Sequence, residues 1–301
     1  MENHDVIVIG SGIGGLCCAG LLAKAGKRVL ILEAHSKPGG AAHGFEKNGY
    51  KFESGPSLWS GIGTWPTTNP LGQVLKALNQ KVELIKYQDW NVQIPEGNYT
   101  IGVGDKRFID QIKSISNKEA IKEWEDFIQV IKPIGAAANS IPLLAINQNK
   151  ETVFQLLKRS KTLIKHLKSF KYLGGSFGNL VDDHLTDPFL RNWVDLLCFL
   201  ISGLTKDETN AAAMATLFND WFKQNAYLEY PKGGSESIVN ALLNGIYSFG
   251  GEIRLNSKVS QIIVRKGKAI GIELQNGETI YAEHIVSNAD IWNTIDLIPK
   301  E

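Results

Sequence analysis

The chain has 301 residues, a net charge of +1 and 43% hydrophobic residues. A chain of this length can form two domains, since a single core seldom grows past roughly 250–300 residues. The nearly balanced charge gives no reason to expect a nucleic-acid partner. Three cysteines without a CxxC pair argue against a disulfide framework and a dithiol redox site, and they favour a reducing compartment.

The amino terminus has neither the basic segment nor the apolar segment of a secretory signal. The sequence also contains no run of about 18 uncharged apolar residues, the length that a membrane-spanning helix needs. We therefore expect a protein that is soluble or lies on a membrane surface.

The first elements in the chain predict a β-α-β unit. Residues 5–9 form a short apolar, β-branched run that indicates a buried parallel strand. Residues 13–25 follow with helical spacing and end at Gly26, and residues 28–33 indicate a second buried strand. Such a unit within about thirty residues is typical of the start of a doubly wound sheet.

The later elements leave this pattern and then return to it. Residues 35–65 predict a loop with a short strand near Tyr50–Glu53, and residues 82–103 predict antiparallel strands. Residues 105–230 have mainly helical periodicity, and residues 236–249 predict another helix. Four strand-like runs complete the chain, at 252–255, 258–264, 269–274 and 280–286.

These elements predict an α/β fold with an insertion. The first part of a Rossmann-like domain comprises residues 1–80, and its second part comprises residues 231–301. Residues 81–230 are predicted to form an inserted strand-plus-helix domain that faces a substrate or a membrane.

Residues 10–15 fit the pattern G-x-G-x-x-G between the first predicted strand and the first predicted helix. Gly10 permits the tight turn, Gly12 lets the backbone approach a pyrophosphate, and Gly15 lets the helix pack against the strand. The pyrophosphate would rest on the helix N-terminus, and Glu33 would accept hydrogen bonds from an adenosine ribose. NAD and FAD both use such a turn, and a Gly-rich turn without a ligand is the alternative.

The segment after Glu33 favours FAD. Pro38 is followed by Gly39 and Gly40, and a strand-terminal glutamate followed by a Gly-Gly element resembles the FAD proteins of the glutathione-reductase-like superfamily. In those proteins the Gly-Gly backbone lies near the pyrophosphate and the ribityl chain, where a Cβ would be in the way. An ordinary loop is the alternative.

Further motifs resemble a group that comprises carotenoid desaturases, carotenoid isomerases and retinol saturases. Residues 45–57 are similar to its G-[YF]-x-F-[DE]-x-G element, which runs beside the flavin. Residues 185–200 resemble isomerase-like members, residues 230–238 resemble a YPxGGSxxIV entry to a helix, and residues 286–289 match a VSNA element near the dinucleotide. The resemblance covers nearly the whole chain and is nearest to the carotenoid cis–trans isomerase-like branch.

This resemblance implies a glutathione-reductase-type FAD domain and a set of cofactor-binding residues. Val259 corresponds to a valine whose backbone meets adenine. No catalytic residue is assigned, and the sequence has no metal-ligand spacing of His and Cys. The residues predicted to contact FAD are Gly10, Ser11, Gly12, Ile13, Gly14, Gly15, Glu33, Ala34, Gly39, Gly40, Ala41, Gly55, Pro56, Ser57, Val259 and Asn288.

The resemblance also implies an activity. We expect a FAD-dependent enzyme that acts on carotenoid or related polyene lipids, with cis–trans isomerisation through reduced flavin as the leading interpretation. A desaturase or saturase that passes electrons to a quinone, oxygen or another acceptor is the first alternative. A non-catalytic lipid-binding protein or a truncated remnant is the second, because family members continue beyond the length of this chain into a segment that closes over the flavin.

Several loop residues have two interpretations each. His43 is a group near the flavin ring or, as we favour, a solvated loop histidine. Glu53 hydrogen-bonds the ribityl chain or caps the end of a strand. Trp59 and Trp65 line an apolar polyene tunnel beside the flavin or pack in an ordinary core.

Two segments bear on the membrane. Residues 156–171 carry six Lys/Arg residues and no acid, which suits an anionic lipid surface or a solvated face over a core stripe. Residues 189–204 are apolar but charged at Arg191 and Asp195, which suits a tunnel wall, a docking face or a buried helix. We expect a peripheral membrane protein on the cytoplasmic side or at a thylakoid or plastid membrane. The apolar face of the first segment comprises Leu156, Leu163, Ile164, Leu167 and Phe170.

Overall fold

The computed structural model describes residues 4–56, 58–67, 69–94, 97–141, 150–158, 160–165 and 167–299. The chain divides into two compact units. We call Met1–Tyr87 together with Leu228–Glu301 the sheet unit, and we call Gln88–Tyr227 the helical unit.

The strands are numbered in chain order. They are β1 His4–Ile9, β2 Val29–Leu32, β3 Gly44–Lys47, β4 Tyr50–Glu53, β5 Leu84–Tyr87, β6 Asp89–Ile94, β7 Gly97–Gly102, β8 Leu228–Pro231, β9 Glu252–Arg254, β10 Val259–Arg265, β11 Lys268–Leu274 and β12 Thr279–Ser287.

The helices are numbered in the same way. They are α1 Ile13–Lys24, α2 Pro70–Ala77, α3 Asp105–Ile115, α4 Lys118–Ser140, α5 Lys150–Lys158, α6 Ser160–Lys165, α7 Phe177–His184, α8 Pro188–Ser202, α9 Ala211–Trp221, α10 Ser235–Ser248 and α11 Ile291–Asp296. Short 3-10 helices cover Gly40–Ala42 and Leu167–Tyr172.

The main sheet of the sheet unit has the strand order β10-β11-β12-β1-β2-β9. The four strands β12, β1, β2 and β9 run parallel, whereas β10 and β11 extend the sheet in antiparallel fashion. Every residue of β2 is buried, as expected for a parallel strand that is covered on both faces. The predicted α/β, Rossmann-like fold is confirmed.

Alternate residues of β1 pack into the cores on the two faces of this sheet, because successive side chains of a strand point to opposite sides. Val6 and Val8 belong to a core with α1 and α10, whereas Ile7 and Ile9 belong to a second core with β10 and β11. This packing explains why β1 reads in the sequence as a continuous apolar run.

The helical unit is built around α4, whose Trp124 is buried among other aromatic rings. The centroid of Phe108 lies 4.6 Å from that of Trp124, and the centroid of Phe222 lies 4.8 Å from it. The apolar segment at 189–204 forms most of α8, which buries Trp193 and neighbouring residues but leaves Phe199 59% exposed. Within the described residues, none of the helices combines the length and the apolar character needed to cross a lipid bilayer.

Three strands differ from the sequence-based expectation. One is β8, which lies at the end of the stretch 105–230 that was expected to be mainly helical. β3 was not predicted, because it is largely exposed and its apolar signal is weak, yet it pairs antiparallel with β4 and stacks Phe45 on Phe52 at 5.3 Å. β5 pairs with β8 of the sheet unit, although residues 82–103 were expected to pair among themselves within the insertion. β6 and β7 do form the expected antiparallel pair.

Candidate functional site

The carboxyl ends of the parallel strands meet at one edge of the main sheet. Gly10 follows β1, and its N–H donates to the carbonyl of Leu32 in β2 at 2.8 Å. Asn288 follows β12, and its N–H donates to the carbonyl of Ile9 at 2.8 Å. The parallel pairing of β12 with β1 therefore brings the end of the chain to the Gly-rich turn.

The N-terminus of α1 is open to an anion. Gly12 occupies the N-cap position, and no side chain of the described residues caps the helix. The first N–H groups of a helix have no partner within the helix, and the helix dipole favours negative charge there. The turn therefore fits the pyrophosphate of a dinucleotide.

A Cβ on any of three glycines of this turn would meet a close neighbour, which is backbone for Gly15 and the Asn288 side chain for Gly12 and Gly14. A Cβ on Gly15 would collide with the carbonyl oxygen of Gly10. A Cβ on Gly12 would lie 2.8 Å from Nδ2 of Asn288, and one on Gly14 would lie 2.8 Å from its Oδ1. The Asn288 amide therefore lies over the turn, where it can donate to a phosphate oxygen.

Glu33 follows β2 and is bound to the turn. Its Oε2 accepts hydrogen bonds from the N–H of Ser11 at 2.8 Å and from the Ser11 hydroxyl at 2.6 Å. Its Oε1 accepts from the N–H of His35 at 2.8 Å. Partial burial acts to raise the pKa of Glu33, but these hydrogen bonds outweigh it and the pKa is lowered.

The Glu33 carboxylate also has capacity for a ligand. A carboxylate offers about four acceptor sites, so the three bonds from Ser11 and His35 leave room for a ribose hydroxyl. Because the lowered pKa keeps the group ionised at neutral pH, it acts as an acceptor. These contacts fit the predicted ribose-binding role of Glu33.

The Gly-Gly element docks on the Gly-rich turn through its backbone. The N–H of Gly39 donates to the carbonyl of Ser11 at 2.9 Å, and Gly39 has a φ of +111°. A Cβ on Gly40 would lie 3.0 Å from the Cα of Gly12, and one on Gly55 would collide with the carbonyl oxygen of Ala41. The Gly-Gly element is therefore in contact with two other segments predicted to contact FAD, the Gly-rich turn and the segment at Gly55.

A cavity of about 400 Å³ adjoins the end of β2. It is lined by Ala34 and by residues 256–258 and 274–276. The N–H of Ser257 donates to the carbonyl of Glu33 at 2.7 Å, which places the cavity next to the predicted ribose site. Val259 is buried directly after this lining and pairs with Leu274. Ligand pockets typically have volumes of about 300–1,000 Å³, so the cavity can hold a nucleoside-sized group.

His43 has two protein partners. Its Nδ1 lies 2.8 Å from the carbonyl oxygen of Gly40, and its Nε2 lies 2.9 Å from the hydroxyl oxygen of Ser54. A carbonyl only accepts, so in the neutral ring Nδ1 carries the proton and Nε2 accepts from Ser54. His43 is therefore not the freely solvated loop histidine that we favoured, because it links the Gly-Gly element to the end of β4.

The two tryptophans of the following loop differ from each other. Trp59 packs against the core of the sheet unit. Trp65 is 56% exposed, and the Lys76 ammonium lies 4.2 Å from its ring centroid. Core packing therefore describes Trp59. Ser57, which was also predicted to contact FAD, lies outside the described residues.

Glu229 was not among the residues predicted to be functional, yet it is fully buried. Oε2 of Glu229 accepts a hydrogen bond from the N–H of Ile62 at 2.7 Å, and the N–H of Gly63 lies 3.3 Å from both carboxylate oxygens. It thereby anchors the loop that carries Trp59. An acidic residue among the neutral residues of β8 was the feature of the sequence that could have indicated this role.

The described part of the chain contains no group of three or more His, Cys, Asp or Glu side chains that could hold a metal ion. The site at the sheet edge is instead built from glycine backbone, one carboxylate and one amide. These are groups that recognise a dinucleotide through hydrogen bonds and close approach.

The fold and this sheet edge define a dinucleotide-binding protein of the Rossmann-like type. Residues 13–295 match the family described as "Flavin containing amine oxidoreductase". The chain belongs to this family, and its cofactor is FAD. The predicted flavoprotein membership, the predicted FAD and the predicted enzyme class are thus confirmed at the level of the family.

Individual relatives are similar over the whole chain. A chloroplastic prolycopene isomerase of Daucus carota is 30% identical over 307 residues, which cover 100% of this chain and 49% of the relative. An all-trans-retinol 13,14-reductase of Danio rerio is 30% identical over 314 residues, which cover 100% of this chain and 50% of the relative. The chain spans about half the length of the curated relatives it matches.

A solved structure has the same fold. The structure of an oxidoreductase from Methanosarcina mazei superposes with a TM-score of 0.69 at 21% sequence identity. The match covers 98% of this chain and 61% of that chain. At this level of identity the likeness concerns the fold.

Proposed function

We propose that this protein is a FAD-dependent enzyme that acts on carotenoid or related polyene lipids and interconverts their cis and trans double bonds. The similarity to prolycopene isomerase over the entire chain carries this proposal. It is supported by the convergence of Gly12, Glu33, Gly40 and Asn288 at one sheet edge.

The residues of the chain bind and orient the cofactor. The N-terminus of α1 binds the pyrophosphate, and Glu33 accepts hydrogen bonds from the adenosine ribose. Gly39 and Gly40 let the backbone approach the flavin half, with Gly55 and Pro56 beside it. When bound, FAD supplies a reversible electron carrier whose reduced form lends electron density to a conjugated chain. Isomerisation by this chemistry needs no acid–base pair.

A redox reaction on a polyene is the second candidate function. The equal identity to an all-trans-retinol 13,14-reductase favours it. In this case the protein exchanges electrons with a quinone or another acceptor. The product then differs from the substrate by two hydrogen atoms.

One experiment separates the two functions. The purified chain is loaded with FAD, reduced anaerobically and incubated with a poly-cis carotenoid in detergent micelles. The products are then separated by chromatography, and their masses are measured by mass spectrometry. Isomerisation predicts a change in retention with unchanged mass. A mass change of two hydrogen atoms supports the redox function instead. If the FAD-loaded protein forms no product at all, both functions are contradicted. A Glu33→Ala variant, which we expect to bind FAD about tenfold or more weakly and to give correspondingly less product at limiting FAD, is the matched control.

We further propose that α5 and α6 contact an anionic membrane from which the lipid substrate is taken. The side chains of Phe154, Leu157 and Ile164 are exposed, and the Lys158 ammonium lies 4.5 Å from the Phe154 ring centroid. Lys161 is also exposed. Exposed apolar residues among lysines suit the interface of an anionic bilayer. Of the apolar face predicted for residues 156–171, the side chains other than that of Ile164 lie outside the described residues.

A further inference from the structure

The carboxylate of Glu53 lies at the amino end of α10. Its Oε1 accepts a hydrogen bond from the backbone N–H of Ser235, and its Oε2 accepts from the Tyr230 hydroxyl at 3.2 Å. Among the described residues, α10 has no side-chain cap at Gly234, which has a φ of +80°. Glu53 therefore supplies from a distant part of the chain the negative charge that a helix N-terminus favours.

The Tyr230 hydroxyl is held in its donor role. Burial is the main factor that raises the pKa of Tyr230, and the charge of Glu53 and the hydrogen bond to it act in the same direction. The hydroxyl accordingly stays protonated over the physiological range. Neither interpretation of Glu53 from the sequence, as a ribityl ligand or as a strand cap, anticipates this contact.

Ser235 makes a second link to the same segment. Its hydroxyl donates to the carbonyl of Pro56 at 2.7 Å, and the residue is fully buried. A Cβ on Gly234 would lie 2.8 Å from Oε1 of Glu53, so the glycine lets the carboxylate approach. The motif at residues 230–238 was not predicted to contact the cofactor. It holds residues 53–56 at two points, the Glu53 carboxylate and the carbonyl of Pro56.

Residues 53–56 lead directly to the cofactor turn. Gly55 packs on the carbonyl of Ala41, and Gly40 packs on the Cα of Gly12 at the N-terminus of α1. A shift of residues 53–56 would therefore be passed to the Gly-Gly element and to the turn. Tyr230 takes part in none of these backbone contacts.

We propose that Glu53 is a positioning residue, held by Tyr230 and Ser235, that fixes the wall formed by Gly55 and Pro56 in the geometry that FAD requires. This inference rests on the proposed FAD-dependent function and on the predicted place of Gly55 and Pro56 beside the flavin. Glu53 acts through the backbone that follows it, and Tyr230 and Ser235 act through Glu53 and Pro56.

The test compares FAD affinity in four variants with that of the wild-type chain. Loss of a hydrogen-bonded charge in Glu53→Ala is expected to weaken FAD binding by about tenfold or more. Tyr230→Phe removes one long hydrogen bond to the Glu53 carboxylate, and Ser235→Ala removes one neutral hydrogen bond to the carbonyl of Pro56. Each is expected to weaken FAD binding by about three- to tenfold. Glu53→Gln keeps both contacts, because its carbonyl accepts from Ser235 and its amide donates to the Tyr230 oxygen, so it is expected to bind FAD within about twofold of wild type.

Two substitutions on the same helix are matched controls. The Ser237 hydroxyl donates to the carbonyl of Gly234 at 2.8 Å and makes no hydrogen bond to residues 53–56 among those described, so Ser237→Ala tests the loss of a hydroxyl at the helix end alone. Tyr247 is 51% exposed on α10, so Tyr247→Phe tests the loss of a tyrosine hydroxyl. Both controls are expected to bind FAD as wild type does.

Hydrogen exchange gives a readout that does not depend on FAD. In the flavin-free chain, peptides that contain residues 53–60 are expected to exchange faster in Glu53→Ala, Tyr230→Phe and Ser235→Ala than in wild type and both controls. Adding Tyr230→Phe to Glu53→Ala is expected to cause no further loss of FAD affinity, because the partner of Tyr230 is already gone.

The outcomes distinguish this inference from the proposed function. If Tyr230→Phe and Ser235→Ala match wild type in FAD affinity and exchange while Glu53→Ala alone weakens binding, Glu53 contacts FAD directly and the positioning role is wrong. If the wild-type chain binds no FAD, both the proposed function and this inference are contradicted, whatever the exchange data show. If wild type binds FAD and all variants bind it equally, the positioning inference alone is overturned.

Discussion

The side-chain amide of Asn288 lies over Gly12, so that a Cβ on Gly12 would stand 2.8 Å from Nδ2 of Asn288. Because this amide is the end of a side chain that can turn away, Gly12→Ala is expected to lower the free energy of unfolding by only about 1 kcal/mol, the low end of the cost of overpacking. Because the obstructing atoms belong to one side chain, Asn288→Ala should remove most of this cost. Urea unfolding of the two single variants and the double variant measures this coupling.

Gly15 provides the contrast within the same turn. A Cβ on Gly15 would strike the carbonyl oxygen of Gly10, which is backbone and has no way to withdraw. The cost of Gly15→Ala should therefore persist in the Asn288→Ala background. Equal rescue of Gly12→Ala and Gly15→Ala by Asn288→Ala would contradict this description of the turn.

The acid sensitivity of the chain should depend partly on Glu33. Its pKa in the folded protein lies below the ordinary value of 4.5, so its contribution to stability is present above about pH 4.5 and is lost as the pH falls through the folded pKa. The advantage of wild type over Glu33→Gln in unfolding free energy should therefore shrink below pH 4.5. Thermal unfolding of both proteins between pH 3 and pH 7 checks this, and an advantage that grows in acid would show the sign to be wrong.

The buried carboxylate of Glu229 should matter for stability. Removing it leaves the N–H groups of Ile62 and Gly63 without their acceptor, so Glu229→Ala is expected to cost about 2–4 kcal/mol. Glu83 pairs with Lys232 on the surface at 2.9 Å, and Glu83→Ala is the control, with an expected cost of less than about 1 kcal/mol. Chemical unfolding measures both, and equal costs would contradict the anchoring role of Glu229.

The parts of the site that are local in sequence were predictable, and those that depend on distant pairing were not. The first strand, the Gly-rich turn and α1 follow from apolar runs and glycine spacing within about thirty residues. Glu33 follows from its place at the end of the second strand. That Asn288 covers Gly12 depends on the pairing of β12 with β1, which no local pattern specifies.

The contacts of Glu53 and Glu229 show the same limit. Each carboxylate accepts a hydrogen bond from a backbone N–H that is far away in the sequence. The pattern of side chains does not indicate which backbone N–H will be the donor. β3 and β5 were misjudged for a related reason. Their residues are largely exposed, so the alternation that marks a half-buried strand is weak and does not identify the partner strand.

Membrane binding is predicted to depend on Lys158 and Lys161. Each lysine near an anionic surface contributes about 1 kcal/mol, so the double variant Lys158→Gln/Lys161→Gln should bind anionic vesicles about 30-fold more weakly. Co-sedimentation with phosphatidylcholine vesicles containing phosphatidylserine measures this. The control is Lys266→Gln/Lys268→Gln, which removes two exposed lysines at the turn between β10 and β11. Equal losses in the two double variants would show that α5 and α6 are not the docking surface.

FAD titration into the purified flavin-free chain, followed by flavin fluorescence and visible absorption, tests most directly whether the sheet edge at Gly12, Glu33 and Asn288 holds the cofactor. We predict saturable binding of one FAD per chain, weakened about tenfold or more by Glu33→Ala. The control Glu252→Ala, which removes an exposed carboxylate from β9, should bind FAD as wild type does. Absence of saturable binding, or equal affinities for wild type and Glu33→Ala, would contradict the assignment of this site.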